Sequence, residues 1–338
     1  MQTKILKPTD GAIETAAAIL KENGLVAMPT ETVYGLAANA FSEIAIEKIF
    51  SAKDRPRDNP LIVHIADKEM LGDLVREIPI TAKILIEKFW PGPLTLILPK
   101  TEKVPRGTNC GLDTVAVRFP ENKIAINLIK KCGFPLAAPS ANSSGKPSPT
   151  KAKHVYDDLN GKIPLIIDGG ECKLGIESTV VLPGEKSIRI LRPGGITAEE
   201  ISEFVKVEVC ELTDIKLSGE EKPLSPGLKY KHYSPRAKLI LVSAESPQIF
   251  NGYYKENYKE GDFALVRDND CPPAADMSLP YGFYGSNAVE QAHNLFSCLR
   301  DCDSREVSRI FIHAPEKNGL GQAVYNRLKR AAEITTCV

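Results

Sequence analysis

Basic side chains stand beside turns or at predicted strand ends in the first part of the chain, at Lys53, Arg55, Arg57, Arg118 and Arg192. Guanidinium groups suit carboxylates and phosphates because they can donate two parallel hydrogen bonds to them. An arginine inside a strand of valines must find an anion or incur a desolvation cost of several kcal/mol, so Arg118 is the strongest single ligand candidate. These cations exceed what one carboxylate substrate requires.

A polar loop at 138–150 follows directly after the apolar run 134–138. Where such a run ends, backbone N–H groups become free, and Ser140 or Asn142 can cap them or hold the oxygens of a ligand. An ordinary proline-rich turn is the alternative, and this segment alone does not decide between the two. Other polar clusters occur at 29–35, at 53–60 and around Ser178, and ligands of open α/β sheets gather at such places.

The composition limits the class of protein. Lys plus Arg equals Asp plus Glu at 43 each, so no basic excess favours a nucleic acid as the main ligand. The start of the chain lacks a secretory signal and no stretch approaches the ~20 apolar residues of a membrane span, so we expect a cytoplasmic protein without a membrane partner. The eight cysteines form no close CxxC pair, and no metal site on the protein is predicted. Common nucleotide-hydrolase, metalloprotease and serine-hydrolase motifs are absent as well.

Helices and strands alternate through about residue 205, with one of the strands predicted at 114–118. The strands predicted at 164–168, 178–182 and 188–191 follow without long intervening helices. We therefore expect a mixed sheet. Periodicity fails from 212 to 236, and a second alternating region follows it. The sequence thus predicts an α/β protein with three parts: a twisted mixed sheet with flanking helices at 1–205, a linker or lid at 206–236, and a small Rossmann-like α/β domain at 237–338.

Seven motifs occur in a fixed order: PTETVYGL at 29–36, KDR at 53–55, PLIVH at 60–64, WPGP at 90–93, VR at 117–118, PSAN at 139–142 and ESTV at 177–180. Together they resemble the YrdC-like family, and with its extra domain the chain is similar to the two-domain threonylcarbamoyl-AMP synthases of that family. The resemblance is strong over 5–205 and includes HYSP at 232–235. Over about the last hundred residues it rests on placement more than on motif.

The resemblance implies a nucleotidyltransferase that condenses L-threonine, bicarbonate and ATP to threonylcarbamoyl-AMP and pyrophosphate. Its product would supply a downstream tRNA threonylcarbamoyl transferase in the formation of threonylcarbamoyladenosine (t6A). The reaction brings together anions that repel by about 4 kcal/mol per pair at ~4 Å and an effective dielectric constant of ~20, which a cationic pocket would relieve. Magnesium would bridge the phosphates of ATP with few or no carboxylate ligands from the protein.

Site residues follow from the resemblance, motif position by motif position. The implied threonine contacts are Thr32, His64, Arg118, Ala138 and Ser178. The implied ATP contacts are Arg55, Asn59, Thr114, Ser140, Ser148, Arg192 and Tyr233. The residues implied in stabilising charge in the transition state are Lys53, Arg55, Ser140 and Asn142. Tyr233 resembles a residue that closes over the nucleotide, which would make the linker a lid.

Two other functions stay open at this point. A non-catalytic RNA-binding module of the same fold is one, and the neutral charge balance weighs against it. A carbamoyl-adenylating enzyme of hydrogenase maturation is the other, and the missing CxxC pairs weigh against its usual zinc-finger parts. The role of the second domain, the oligomeric state, tRNA contact and the selection of threonine over serine, which rests on one methyl group, are not determined by the sequence.

Overall fold

The computed structural model of the chain describes residues 2–208, 223, 232–267 and 279–338. Within them the chain forms two compact units. Unit 1 is drawn from Met1–Ser144, Ser148–Lys173 and Glu177–Tyr230, and unit 2 from Gly145–Pro147, Leu174–Ile176 and Lys231–Val338. Most of the predicted linker, at 209–222 and 224–231, lies outside the described residues.

Unit 1 is built on one mixed sheet. Its strands are β1 (Lys4–Leu6), β2 (Val26–Met28), β3 (Gly35–Asn39), β4 (Ile62–His64), β5 (Leu94–Pro99), β6 (Thr114–Arg118), β7 (Leu136–Ala137), β8 (Leu165–Ile167), β9 (Thr179–Pro183), β10 (Ile188–Arg192) and β11 (Val207–Glu208). Its helices are α1 (Asp10–Lys21), α2 (Glu43–Lys53), α3 (Leu71–Leu74), α4 (Ile80–Phe89), α5 (Arg106–Asn109), α6 (Lys123–Cys132), α7 (Ala152–Leu159) and α8 (Ala198–Ser202). A 3-10 turn at Lys68–Met70 precedes α3. The strand order is β1-β8-β2-β3-β7-β4-β6-β5-β9-β10-β11, with parallel and antiparallel neighbours, so the predicted mixed sheet is confirmed.

Helix α2 positions Lys53, one of the predicted site residues. Ser42 caps its first turn by accepting a hydrogen bond from the backbone N–H of Ala45, and Ile49 buries its inner face in the main core. The helix ends at Lys53, because Asp54 adopts a left-handed conformation with φ 52° and turns the chain. Lys53, the first residue of the KDR motif, is therefore the last residue of α2.

The central strands have one core face and one face with polar ends. In β6, Val115 and Val117 enter the main core, so alternation directs Thr114, Ala116 and Arg118 to the opposite side. We call this side the site face. Its middle is a small apolar cluster formed by Ile62, Ile97, Ala116, Val180 and Leu191. The site face is therefore an apolar floor with polar side chains at its ends.

Unit 2 is a small parallel α/β unit. Its strands are β12 (Lys238–Ser243), β13 (Asp262–Val266), β14 (Tyr281–Phe283), β15 (Arg309–His313) and β16 (Ile334–Cys337), and its helices are α9 (Pro247–Asn257), α10 (Ala288–Ser304) and α11 (Gly319–Ala331). The strand order β14-β13-β15-β12-β16 has only parallel neighbours, and the predicted small α/β unit is confirmed.

Strand β3 was not predicted, although it lies near the middle of the large sheet. Its sequence, Gly-Leu-Ala-Ala-Asn, contains no β-branched or aromatic residue, so its local preference for a strand is weak. Antiparallel pairing with β2 on one side and β7 on the other fixes it instead. In the described ranges, no helix is both long and apolar enough to cross a membrane.

Candidate active site

Arg118 lies at the C-terminal end of β6, opposite His64 of β4 in the register of the sheet. Its side chain is 4% exposed, and it donates hydrogen bonds from Nε to the carbonyl of Gly92 at 3.2 Å and from Nη1 to Oγ1 of Thr32 at 2.8 Å. Nη2 lies 2.6 Å from Oε1 of Glu31. The anion that the sequence requires for Arg118 is therefore present within the chain.

Glu31 is a site residue that the sequence reasoning missed. Its side chain is 7% exposed, and the acidic residue between the two threonines of PTETVYGL was the available signal. The short distance to Arg118 makes an ion pair, but the geometry is not that of a hydrogen bond. Among the described residues, neither Nη2 of Arg118 nor either carboxylate oxygen of Glu31 has a hydrogen-bond partner.

Hydrogen bonds within the β2–β3 turn fix Thr32 next to Arg118. Thr30 Oγ1 donates to the carbonyl of Val33 at 2.6 Å and accepts from the backbone N–H groups of Thr32 and Val33, both at 3.2 Å. The Thr30 and Thr32 hydroxyls are 2.7 Å apart. Such side-chain bonds to the local backbone hold a turn in one shape.

His64 is buried beside Arg118, with 4% of its surface exposed. Burial, and then the positive charge of Arg118, lower the pKa of His64 from its ordinary 6.5 to about 3. Its Nδ1 has no hydrogen-bond partner among the described residues, unlike that of a satisfied core histidine. The ring is thus neutral at physiological pH and keeps one nitrogen for a ligand. Ala138, another predicted threonine contact, lies beside β4, where its N–H donates to the carbonyl of Ile62 at 2.9 Å.

Ser178 stands at the start of β9, close to the Arg118 end of the site face. Its hydroxyl is 2.8 Å from that of Thr95, and Thr95 pairs with Arg118 across β5 and β6. Arg192 donates from Nη2 to the carbonyl oxygen of Ser178 at 2.9 Å and to its Oγ at 3.3 Å. Arg192, predicted as an ATP contact, therefore lies beside a predicted threonine contact.

Ser148 is fully buried and donates to Oε1 of Glu177 at 2.5 Å. Because Glu177 directly precedes Ser178, this bond places the end of the polar loop near the same part of the sheet. Glu177 was not predicted as a site residue.

Lys53 holds the loop that carries Ser140 and Asn142. Its side chain is 1% exposed, and Nζ donates to the backbone carbonyl oxygens of both residues at 2.5 Å. In return, the N–H of Ser144 donates to the carbonyl of Lys53 at 2.9 Å. The end of α2 and the polar loop are therefore bound to each other in both directions.

Arg55, Asn59 and Thr114 lie toward the other end of β4 and β6. Arg55 donates from Nε to the carbonyl of Asn59 at 3.1 Å and from Nη2 to that of Pro60 at 2.9 Å. The Asn59 side chain is 1% exposed, and among the described residues neither atom of its amide has a hydrogen-bond partner. Thr114 and Arg118 are the two ends of the five-residue strand β6, which at ~3.3 Å per residue spans about 13 Å. Part of the predicted ATP contacts is thus separated from the predicted threonine contacts by the length of a strand.

Tyr233 belongs to unit 2, and 6% of its surface is exposed. Its ring stacks on Phe296 with 5.3 Å between centroids, and the guanidinium of Arg327 lies 5.7 Å from its ring centroid. The closure of Tyr233 over a nucleotide stays a prediction.

Several buried polar side-chain atoms of the described residues have no hydrogen-bond partner. In the described part of unit 1 they belong to Glu31, Asn59, His64, Arg118 and Ser144. Because most buried polar groups in proteins are hydrogen-bonded, these atoms make the region the candidate ligand-binding site. A cavity of about 200 Å³ borders the same region, and Thr30, Glu31 and Glu121 are among the residues that line it. The described residues contain no cluster of three or more His, Cys, Asp or Glu side chains that could hold a metal ion.

Comparison with known proteins gives consistent matches over the whole chain. A family model named Sua5_yciO_yrdC, described as telomere recombination, matches residues 18–194, and a model described as threonylcarbamoyl-AMP synthase, C-terminal domain, matches residues 196–333. The threonylcarbamoyl-AMP synthase of Pyrococcus abyssi is 46% identical over 324 residues, which cover 95% of this chain and 94% of that protein. The Bacillus subtilis enzyme of the same name is 44% identical over 335 residues, which cover 98% and 95%. The crystal structure of P. abyssi Sua5 complexed with L-threonine has a TM-score of 0.89 and 42% identity, and covers 99% of this chain and 100% of that one.

Proposed function

This chain belongs to the threonylcarbamoyl-AMP synthases of the Sua5–YciO–YrdC family, and we propose that it condenses L-threonine, bicarbonate and ATP to threonylcarbamoyl-AMP and pyrophosphate. This reaction is the first step in the formation of t6A. The observation that carries the proposal is the group of buried polar atoms without hydrogen-bond partners on Glu31, Asn59, His64 and Arg118, because they offer a cation, a carboxylate, an imidazole and an amide to small polar substrates.

Threonine takes the Arg118 end of the site face. Its carboxylate binds Nη2 of Arg118, the nitrogen that lacks a hydrogen-bond acceptor among the described residues. His64 offers its unpaired Nδ1 to the same ligand, and Ala138 and Thr32 line the position. The threonine complex of the P. abyssi relative supports this choice of substrate.

ATP takes the end of the site face where Asn59 and Thr114 lie, with its phosphates against the Ser140 loop. The unpaired amide of Asn59 can both donate to and accept from a nucleotide, and the apolar floor around Ala116 offers a surface to the adenosine. The amino nitrogen of threonine adds to the carbon of bicarbonate and water leaves, after which the carbamate oxygen attacks the α-phosphorus and pyrophosphate leaves. Arg55 and Lys53 supply positive charge where anions meet, which stabilises a phosphoryl-transfer transition state without a protein nucleophile.

ATP enters as its Mg²⁺ complex, in which the phosphate oxygens provide the main ligands of the ion. We further propose that the enzyme is cytoplasmic and that a tRNA threonylcarbamoyl transferase consumes its product. Tyr233 and the linker would close over the bound nucleotide as a lid.

The test is pyrophosphate release from ATP by the purified full-length chain, with and without threonine and bicarbonate. We expect release to require both. Arg118→Ala should raise the KM for threonine about 30- to 1000-fold, the equivalent of about 2–4 kcal/mol, with a much smaller effect on the KM for ATP. Arg106→Ala, which removes an exposed arginine, is the matched control. Release that is independent of threonine, or tRNA binding without any release, would contradict the proposed function.

A further inference from the structure

The ion pair between Arg118 and Glu31 differs from an ordinary structural ion pair. Both side chains are buried, at 4% and 7% exposure, yet no hydrogen bond joins them and the carboxylate has no other hydrogen-bond partner among the described residues. In unit 2, by contrast, Arg309 donates hydrogen bonds to both carboxylate oxygens of Asp262. A buried ion pair is stable only when its remaining donors and acceptors are satisfied. The Arg118–Glu31 pair therefore lacks the partners that a purely structural role would provide.

The guanidinium of Arg118 and the carboxylate of Glu31 lie side by side, and their opposite charges are complementary to those of an amino acid zwitterion. The α-ammonium and α-carboxylate groups of threonine are attached to the same carbon atom. A ligand whose carboxylate binds Arg118 therefore brings its ammonium group next to Glu31, which is 2.6 Å from Nη2. The three N–H donors of the ammonium group match the oxygens of Glu31, which accept no hydrogen bond from the described residues.

We propose that Glu31 is a substrate-binding residue that accepts hydrogen bonds from the α-ammonium group of threonine. The inference rests on the placement of the threonine carboxylate at Arg118 in the proposed function. Glu31 then selects ligands that carry a free α-ammonium group over otherwise similar carboxylic acids. Carbamoylation removes the positive charge from this nitrogen, so Glu31 no longer attracts the product at that position.

The test compares two ligands, L-threonine and (R)-3-hydroxybutanoate, which is threonine without its α-amino group. Dissociation constants are measured by ligand-observed NMR for the wild-type chain and for Glu31→Gln. We expect Glu31→Gln to raise the dissociation constant for threonine at least tenfold. The dissociation constant for 3-hydroxybutanoate should stay within twofold or fall, because the carboxylate of this ligand no longer faces a buried anion. Glu31→Asp, which keeps the charge, should restore part of the threonine affinity. Glu121→Gln removes an exposed carboxylate that lines the same cavity and is the matched control.

The second ligand separates binding from a purely structural role. If Glu31 acted only by holding Arg118, both ligands would weaken by the same factor, because both need the guanidinium, and that result would overturn the inference. If 3-hydroxybutanoate binds neither protein detectably, kinetics decide. The kinetic test is inhibition of pyrophosphate release by (R)-1-aminopropan-2-ol, which is threonine without its carboxylate and does not need the guanidinium of Arg118. An inhibition constant that rises at least tenfold in Glu31→Gln supports the inference, and an unchanged one overturns it. A wild-type chain that binds no threonine would overturn the proposed function itself, whereas wild-type binding matched by Glu31→Gln would overturn only the role of Glu31.

Discussion

Substitution of Lys53 by methionine should lower the stability of unit 1 and its affinity for ATP together. The Lys53 side chain is 1% exposed, and its Nζ donates to the carbonyl oxygens of Ser140 and Asn142, both at 2.5 Å. A hydrogen bond from a charged donor contributes about 1.5–3 kcal/mol, so the loss of two should cost about 3–6 kcal/mol of unfolding free energy. Methionine fills much of the same space, so little of the loss comes from a cavity.

Urea denaturation followed by the fluorescence of Trp90 measures this effect. Trp90 is the single tryptophan of the chain and is 5% exposed in unit 1, so its signal reports the unfolding of the unit that contains the site. Affinity for ATP is measured by calorimetry on the same samples. Lys48→Met is the matched control, because Lys48 lies on the same helix, is exposed and makes one hydrogen bond, of 2.7 Å, to the carbonyl of Asn23. We expect that control to change stability by no more than about 0.5 kcal/mol.

The outcome separates two roles for Lys53. The sequence motif predicts that its charge stabilises the transition state, whereas the contacts indicate that it shapes the loop that we propose to bind the phosphates. An unchanged unfolding free energy combined with a reduced kcat would refute the loop-holding role. A loss of stability with weaker ATP binding would confirm it.

Two further predictions concern His64 and Tyr233. The pKa of His64 is about 3 in the folded protein and 6.5 ordinarily, so between these values the unfolded chain binds a proton that the folded chain does not. The free energy of unfolding should therefore fall as pH decreases from 6.5 to 3, by about 1.4 kcal/mol per pH unit from this group. In urea titrations at pH 7, 5 and 4, His64→Gln should show a flatter dependence on pH than the wild type. Parallel profiles for the two proteins would contradict this prediction. If the lid prediction is right, Tyr233→Ala should weaken the binding of ATP and slow turnover. Tyr233→Phe, which keeps the ring that stacks on Phe296, should have a smaller effect on both. Wild-type affinity and turnover in both variants would exclude the lid.

The sequence predicts strands best where buried β-branched residues alternate with others. Both ends of β6, Thr114 and Arg118, were predicted correctly, because Val115 and Val117 define its core face. β3 was missed, because only tertiary pairing makes Gly35–Asn39 a strand. The same limit applies to the site. That Arg118 needs an anion follows from local chemistry.

The identity of that anion, Glu31, depends on how the β2–β3 turn folds toward a strand far along the chain. The partners of Lys53 were missed for a different reason. Two of them are the backbone carbonyl oxygens of Ser140 and Asn142, and every residue carries such an acceptor, so the sequence does not indicate which carbonyls bind Lys53.

The strand order of the large sheet also determines how much of the chain must be synthesised before the candidate site can form. β7 lies between β3 and β4, and β8 lies beside both β1 and β2, so neighbours in space come from distant parts of the chain. The contacts at the candidate site show the same separation, because Thr95 and Ser178 are 83 positions apart in the sequence and Lys53 and Asn142 are 89 apart. Folds dominated by such distant pairings form slowly, because long loops must close before the contacts can stabilise them. On the ribosome, a growing chain therefore cannot complete the site face until β10 has emerged, and a chain that ends before Arg192 should release no pyrophosphate.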